Sequence, residues 1–299
     1  MSTNKEFNVR KEQVISSLVE YLDPEKRDKS PKGFIDEPIL DLMHVINQHP
    51  DYYTTSSCSG RVAIYCDGTQ QDPENEQRKK RTTKGGTWLY VSHDPIQLPA
   101  AMDKDWVLNT IFKNKKVILT TQTAVENVDL EKQRFVYFKF EPLILHIEAS
   151  SHKTAMQLLN IANQVGYQNS GITPSSHRHM LSIKSTLKID TPIAYVDEEG
   201  EDEEDVFYCF VSPEYLWLLL MMSNQKFEQN IQRMKVFEER MKAELEKKND
   251  EFIETETKEE RKQRKKKEGL LLQKQQREQK TQNIETEDVI DTLDSLSLQ

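Results

Sequence analysis

The composition of the chain changes abruptly near residue 224, and this change limits where a folded core can form. Before it, apolar residues recur with helix and strand periodicities; after it, Glu, Lys and Gln dominate and no sustained heptad is present. A segment of that composition buries too little apolar surface to fold on its own. We therefore predict a domain over residues 1–245, followed by a charged, helical and then largely disordered tail over residues 246–299.

Charge is distributed unevenly along the 299 residues, whose formal net charge is −9. Eight acidic residues lie in one run, DEEGEDEED, at positions 197–205, and the tail nearly balances its own charges. A basic run, RKKR at 78–81, lies in a polar insertion at 67–84. Both runs are typical of solvated loops. Without the acidic run the body of the chain is neutral, so the net charge does not exclude a nucleic-acid partner.

Three further features indicate the cellular compartment. No stretch approaches the roughly 20 consecutive apolar residues that a membrane-spanning helix needs. The N-terminus lacks the apolar segment of a signal peptide. Three scattered cysteines are too few for a disulfide framework. We expect a cytoplasmic protein with no membrane partner.

Apolar periodicity predicts an α+β fold, a single mixed α/β domain of non-Rossmann type. Several strands follow one another without an intervening helix, and neither a G-x-G-x-x-G nor a P-loop is present. A loop, SSCSG, is expected between the first two strands, and Pro142 is expected to break a long strand. The predicted helices cover residues 14–22, 37–48 and 154–165 and a segment from Pro213 onward; the predicted strands cover 52–55, 61–66, 87–93, 116–122, 135–147, 167–172, 180–187 and 206–211.

The most concentrated chemical signal is TTSSCSGR at 54–61. Small side chains let a ligand approach the backbone, Gly60 permits a positive φ, and Arg61 offers a rigid fork for a carboxylate or phosphate. The alternative is a polar turn whose hydroxyls bond the backbone. Cys58 is a candidate nucleophile with His93 or His146 as its base, but nothing in the sequence brings these residues together, and a small buried thiol is the favoured interpretation.

The spacing of potential metal ligands is poor. Cys58 and Cys66 are separated by seven residues, and the pair His177-x-His179 stands alone. We predict no metal site. A second polar turn, TPSSHRH at 173–179, and His146 within the apolar segment LILHIE complete the candidate positions.

Several blocks of the sequence resemble the tRNA wybutosine-synthesising protein 3 family. The first is DKSPKGFIDEPILDLMHVINQHPDYYTTSSCSGRVAIY, and GGTWLYVSH, KFEPLILHIEA, NSGITPSSHRHMLSIKST and VSPEYLWLLLMMSNQKFEQN follow in the order typical of the family. Together they cover roughly residues 10–240. Lys184 departs from the pattern, because the family often has Arg there. The two charged insertions and the tail also lie outside the pattern.

The resemblance implies an S-adenosylmethionine-dependent methyltransferase. Its substrate would be the 7-(3-amino-3-carboxypropyl)-4-demethylwyosine base at position 37 of tRNA-Phe, methylated at N4 during wybutosine biosynthesis. The tRNA-Phe anticodon loop would be its partner, and other enzymes of the pathway are candidate partners. The family fold is an α+β architecture distinct from the Rossmann methyltransferases, as the missing glycine fingerprint also indicates.

With that resemblance, site roles can be assigned as expectations. Asp36 is the candidate proton acceptor or amine ligand, with helix capping as the alternative. Trp88 can stack on the tricyclic base or pack in the core. We expect catalytic roles for Asp36, Ser57 and Arg61; contacts to the methyl donor from Ser56, Cys58, Gly60, His93 and His146; and substrate contacts from Lys29, Lys32, Trp88, Arg178 and Lys184.

Two other function classes remain open from the sequence. A non-catalytic tRNA-binding module would use the same basic insertion and hydroxyl-rich segment to present the modified anticodon loop to a partner enzyme. A thiol-dependent enzyme would depend on Cys58. Binding of S-adenosylmethionine distinguishes the methyltransferase from the binding module.

Overall fold

A computed structural model of the chain describes residues 2–21, 36–68, 86–120, 128, 133–173, 175, 177–196, 205–255, 262 and 266. The chain divides into two compact units, residues 1–243 and 244–299. In the second unit the final helix continues to Thr255, and most later residues lie outside the described part, as do residues 69–84 and 197–204 of the two charged insertions. Among the described helices, none is long and apolar enough to cross a membrane.

The first unit combines helices with one mixed sheet, which confirms the predicted α+β class. The helices are α1 Ser2–Tyr21, a 3-10 turn Glu37–Ile39, α2 Leu40–Gln48, α3 Lys104–Phe112, α4 His152–Val165 and α5 Pro213–Thr255. The strands are β1 Tyr52–Cys66, β2 Thr87–Ser92, β3 Val117–Leu119, β4 Arg134–Ala149, β5 Gly171–Thr173, β6 His179–Lys184, β7 Ile189–Val196 and β8 Phe207–Cys209.

Two long central strands, β1 and β4, organise the sheet. Its order is β2-β1-β4-β7-β8-β3, with β6 also paired to β4 and β5 paired to β6. On the side away from β1, the first half of β4 pairs with β7 and the second half with β6. Among the described strands, only β3 and β8 run parallel. This mostly antiparallel topology is not a doubly wound nucleotide-binding sheet.

The alternation of buried and partly exposed residues along β4 changes near Pro142. The strand continues there, but its buried positions shift by one residue. Before Pro142 the even-numbered residues are buried, and after it the odd-numbered ones are: Val136, Phe138 and Phe140, then Leu143, Leu145 and Ile147. Pro142 has no N–H to donate and lies opposite Gly60 of β1, whose φ is +124°. The predicted break at Pro142 is therefore wrong: the strand shifts its pattern instead of ending.

A buried asparagine on α5 supplies the hydrogen bonds at this shift. The Asn230 Nδ2 donates to the Ser59 carbonyl at 2.7 Å, and its Oδ1 accepts from the Leu143 N–H at 3.0 Å. A buried backbone group without a partner costs free energy, so the amide stabilises both strands where their own pairing is irregular.

Helix α5 also crosses the two apolar cores that lie along the sheet. Its first turns pack with α3 and the first half of β4, through residues such as Leu216 and Phe227. Its later turns pack with α2, α4 and the second half of β4, through Met234 and Phe237. Side chains at roughly helical spacing thus make α5 part of both cores.

Several local predictions are confirmed, and others besides the break at Pro142 are wrong or missed. The helix predicted at 37–48 is present, with its first turn in the 3-10 form, and α4 ends at Gly166 in the left-handed conformation as expected. The loop predicted for SSCSG is instead the middle of β1, because β4 supplies a continuous partner for it. Helix α3 and strand β7 were not predicted, although Asp103 caps α3 by accepting from two backbone N–H groups.

We expect Gly60→Ala to lower the free energy of unfolding by about 1–3 kcal/mol, because a side chain at positive φ is strained. The new Cβ would also lie 3.1 Å from the Glu141 carbonyl and 3.2 Å from Asn230 Nδ2. Urea denaturation followed by circular dichroism measures this loss. Gly171→Ala is the matched control, since its Cβ meets nothing within 4 Å, and it should change stability by less than about 1 kcal/mol. Equal effects of the two substitutions would contradict the account of Gly60.

Candidate active site

The predicted site segment, residues 56–61, lies on a strand that is paired on its β4 side. Cys58 pairs with Ile144 and Arg61 with Glu141 across β1 and β4. The register shifts between Thr54 and Ser57, and Ser56 is exposed at this irregularity. Pairing to β4 makes the backbone of the segment part of the sheet, so its side chains project from a more rigid support than a turn would give.

Asp36 is the residue just before the 3-10 turn, and its side chain contacts β1. Its buried Oδ2 accepts from the Ser59 N–H at 2.8 Å and from the Ser59 Oγ at 3.0 Å. Although Asp36 occupies the N-cap position, its side chain makes no capping hydrogen bond. The capping interpretation is therefore wrong, and the carboxylate is instead directed to the strand.

The same carboxylate meets His93, which directly follows β2. The Nδ1 of His93 lies 3.2 Å from Asp36 Oδ2 and 3.7 Å from Cys58 Sγ. The hydrogen bond to Asp36, followed by the one to Cys58, outweighs burial and raises the pKa of His93 to about 9. His93 is therefore an imidazolium at neutral pH. Sequence spacing gave no reason to bring Cys58 and His93 together.

This arrangement does not favour thiol catalysis. A Cys-His-Asp relay uses one ring nitrogen for the thiol and the other for the carboxylate. Here Cys58 and Asp36 both meet Nδ1 of His93, so the ring does not lie between the thiol and the carboxylate as a relay requires. The geometry gives no support to the thiol-dependent enzyme.

Asp36, Cys58 and His93 are also the described group that can hold a metal ion, since their ligand atoms lie within 4.8 Å of one another. A metal needs a neutral imidazole with a lone pair, and the raised pKa of His93 opposes that form at neutral pH. The electrostatics favour an ion pair, and the absence of a metal stays a prediction.

Arg61 forms a second part of the site, next to an exposed aromatic ring. Its Nε donates to Glu141 Oε2 at 2.6 Å, and its guanidinium carbon lies 4.5 Å from the centroid of Trp88. The indole is 44% exposed and contacts the ring of Tyr65 at 4.7 Å between centroids. The alternative interpretation, that Trp88 packs in the core, is therefore wrong, because one part of its ring system faces solvent.

His146 connects three strands as a neutral group. Its Nδ1 lies 2.8 Å from Ser56 Oγ on β1, and its Nε2 lies 3.3 Å from Ser182 Oγ on β6. Burial, followed by the positive charge of Lys184, lowers the pKa of His146. The neutral ring can donate to one hydroxyl and accept from the other. The Ser57 hydroxyl lies elsewhere, donating to Met43 Sδ at 3.1 Å.

A buried carboxylate that was not predicted from the sequence holds Arg178. Glu148 on β4 is 1% exposed and accepts from Arg178 Nε at 2.7 Å, from Arg10 Nη2 at 2.6 Å and from the Tyr53 hydroxyl. Burial opposes its ionisation, but the bonds from Arg178, Arg10 and Tyr53 together keep the pKa of Glu148 below its usual value. Its position in the alternating segment LILHIE, on the same strand face as His146, was the available signal.

The predicted site residues therefore form separate local groups. Asp36, Cys58 and His93 lie together, Arg61 contacts Trp88, His146 contacts Ser56, and the Lys184 charge acts on His146. Gly60 is buried, and its lack of a side chain is explained by its positive φ and close neighbours. Lys29 and Lys32 lie outside the described residues.

We expect Asp36→Asn to lower the pKa of His93 from about 9 towards or below 6.5, because the carboxylate is the largest cause of the raised value. NMR titration of the ¹³C-labelled imidazole measures this directly. Asp41→Asn, at an exposed position of α2, should leave the His93 titration unchanged. In the wild type, the contribution of the His93–Asp36 ion pair to the free energy of unfolding is fully present below pH 6.5. It is lost as the pH rises through about 9 and His93 becomes neutral. A His93 that titrates near 6.5 in wild type would refute this ion pair.

Comparisons with known proteins place the site in a family. Residues 9–243 match the model of the family described as Methyltransferase TYW3. The chain is 32% identical to tRNA wybutosine-synthesizing protein 3 of Saccharomyces cerevisiae, over 92% of this chain and 97% of that protein. It is 34% identical to tRNA wybutosine-synthesizing protein 2/3/4 of Arabidopsis thaliana, over 76% of this chain but 20% of that protein.

A solved structure has a similar fold. PH1069 protein from Pyrococcus horikoshii superposes with a TM-score of 0.55 at 25% identity, over 81% of this chain and 98% of that chain. The family match contains all the groups of the site described above. The resemblance in the sequence is confirmed, and the chain belongs to the methyltransferase TYW3 family.

Proposed function

We propose that this chain transfers a methyl group from S-adenosylmethionine to N4 of the 7-(3-amino-3-carboxypropyl)-4-demethylwyosine base at position 37 of tRNA-Phe, a step of wybutosine biosynthesis. The family match over residues 9–243 is the observation that carries this proposal. Its relatives are named for wybutosine synthesis, and the yeast relative is matched over nearly its whole length.

The polar side chains of the candidate site are complementary to the groups of the proposed methyl donor. S-adenosylmethionine carries a carboxylate, an ammonium group, ribose hydroxyls and an adenine edge. Arg61 and Glu141 offer a guanidinium and a carboxylate, while Ser56 and His146 offer a hydroxyl and an imidazole at an exposed point of β1. We assign contacts with the methyl donor to Ser56 and His146 and, in the neighbouring cluster, to Cys58 and His93. A contact of the buried Gly60 with the methyl donor stays a prediction.

The reaction places few demands on acid–base groups. S-adenosylmethionine would supply an electrophilic methyl group: the new N4–carbon bond would replace the sulfur–carbon bond, S-adenosylhomocysteine would be the leaving group and the N4 proton would pass to solvent. Such a displacement depends mainly on alignment and exclusion of water. Side chains carried on paired strands, such as those of β1 and β4, suit this requirement.

Asp36 acts by positioning His93 in this proposal. Its Oδ2 already accepts from the Ser59 N–H and hydroxyl and faces His93, so it is poorly placed to take the N4 proton. His93, held as an imidazolium, provides positive charge for an anionic group of the substrate. Ser57 is the least supported of the expected catalytic residues, because its hydroxyl faces Met43.

The tRNA contacts are assigned to basic and aromatic groups. Arg178 is 45% exposed on its side chain and is held by the buried Glu148, a suitable arrangement for a phosphate. Lys184 is exposed at the end of β6, and Trp88 offers a stacking face for an unpaired base. Contact of Lys29 and Lys32 with phosphate stays a prediction.

We expect Arg61→Ala to lower kcat/KM for methyl transfer to precursor tRNA by about 10- to 100-fold, because a charge-assisted hydrogen-bond donor is lost. Incorporation of labelled methyl from S-adenosylmethionine, with mass analysis of the nucleoside, measures the effect. Arg61→Lys should be more active than Arg61→Ala because it keeps the positive charge. It should be less active than wild type because lysine lacks the planar guanidinium fork. Arg240→Ala, exposed on α5, should act as wild type. Full activity with unchanged donor affinity in Arg61→Ala would exclude Arg61 from the site.

A further inference from the structure

Two arginine–glutamate pairs include a glutamate of β4, and they differ in exposure and charge balance. One joins Arg61 to Glu141, and the other joins Arg178 to Glu148. In sequence the two pairs look equivalent. Their surroundings indicate that they bind different chemical groups.

The Glu148 pair offers only positive charge to a ligand. Glu148 is buried, and its oxygens are engaged by Arg10, Arg178 and Tyr53. Of the two guanidinium groups around this carboxylate, that of Arg10 also meets Glu6 at 3.9 Å, and that of Arg178 is 45% exposed and presents its positive charge to solvent. This cluster suits a simple anion such as a phosphate.

The Arg61–Glu141 pair offers both charges side by side. The side chains are 31% and 36% exposed, and one contact, from Nε to Oε2 at 2.6 Å, joins them. Within the described residues, the two Nη atoms of Arg61 and the Oε1 atom of Glu141 have no other hydrogen-bond partner. An exposed ion pair of this kind adds little stability. Its unused donors and acceptor are available to a ligand.

Trp88 fixes the orientation of this pair. The guanidinium lies 4.5 Å from the indole centroid and is bonded to Glu141 through its Nε. Stacking and an ion pair together restrict a side chain that otherwise has many rotamers. The fork is therefore oriented before any ligand arrives, which lowers the entropy lost on binding.

We propose that Arg61 and Glu141 bind the zwitterion of an α-amino acid, with the Arg61 fork on its carboxylate and Glu141 on its ammonium group. A simple anion would be repelled by Glu141, and a simple cation by Arg61. The inference rests on the proposed function, whose reaction contains two such zwitterions. They are the methionine end of S-adenosylmethionine and the 3-amino-3-carboxypropyl arm of the base.

Glu141→Gln tests this proposal, because it keeps the shape of the side chain and removes the charge that an ammonium group needs. We expect about a 10- to 100-fold loss of affinity for one of the two zwitterions. Asp190→Asn is the matched control. Asp190 lies on the neighbouring strand β7, pairs with Lys139 of β4 at 2.9 Å and is exposed to a similar degree. The control should retain wild-type constants.

Two measurements identify the source of the zwitterion. Calorimetry compares S-adenosylhomocysteine with 5′-methylthioadenosine, which lacks the amino-acid end. If the methionine end is bound, Glu141→Gln weakens the first ligand and not the second. If the arm is bound, both affinities stay unchanged, and KM for arm-bearing precursor tRNA rises while kcat changes less.

A change of less than about twofold in all of these constants, with Glu141→Gln folded by circular dichroism, would overturn the zwitterion site. In that case methyl transfer by the wild type would leave the proposed function intact. Failure of the wild type to methylate precursor tRNA would instead count against the function itself, and calorimetry would still report on the site.

Discussion

The centre of this molecule depends on two hydrogen bonds made by the buried side chain of Asn230. Strands β1 and β4 keep their register across the Gly60–Pro142 pair, but their ladder is interrupted there, because Pro142 has no N–H to donate and the buried face of β4 shifts. The buried amide of Asn230 joins the Ser59 carbonyl to the Leu143 N–H and so stabilises the shift. Helix α5 is thereby fixed to the sheet at the point where its two cores meet.

The same irregularity places the site. Ser59 offers its carbonyl to Asn230 and its N–H and hydroxyl to Asp36, and Asp36 in turn holds His93. A contact in the core is thus connected to a charged group of the site through one residue of β1. Beside it, Arg61 leaves the core and reaches the exposed ring of Trp88. The polar cluster and the exposed arginine therefore lie on either side of Gly60 along β1.

Sequence patterns predicted the elements with strong periodicity, such as α2 and α4, and the mixed fold class. They failed where long-range pairing overrides local preference: SSCSG is typical of a turn, but its partner strand β4 keeps it extended. The candidate site residues were proposed from composition and family resemblance. Their partners were not, because Asp36 meets His93 and Glu148 meets Arg10 across sequence separations that carry no periodic signal.

The most direct test of the central claim is the modified-nucleoside profile of tRNA-Phe from cells in which this gene is deleted, measured by mass spectrometry. The account predicts accumulation of the 7-(3-amino-3-carboxypropyl)-4-demethylwyosine base, which lacks the N4 methyl group, and its conversion when the wild-type chain is restored. Normal wybutosine in the deleted strain would contradict the account.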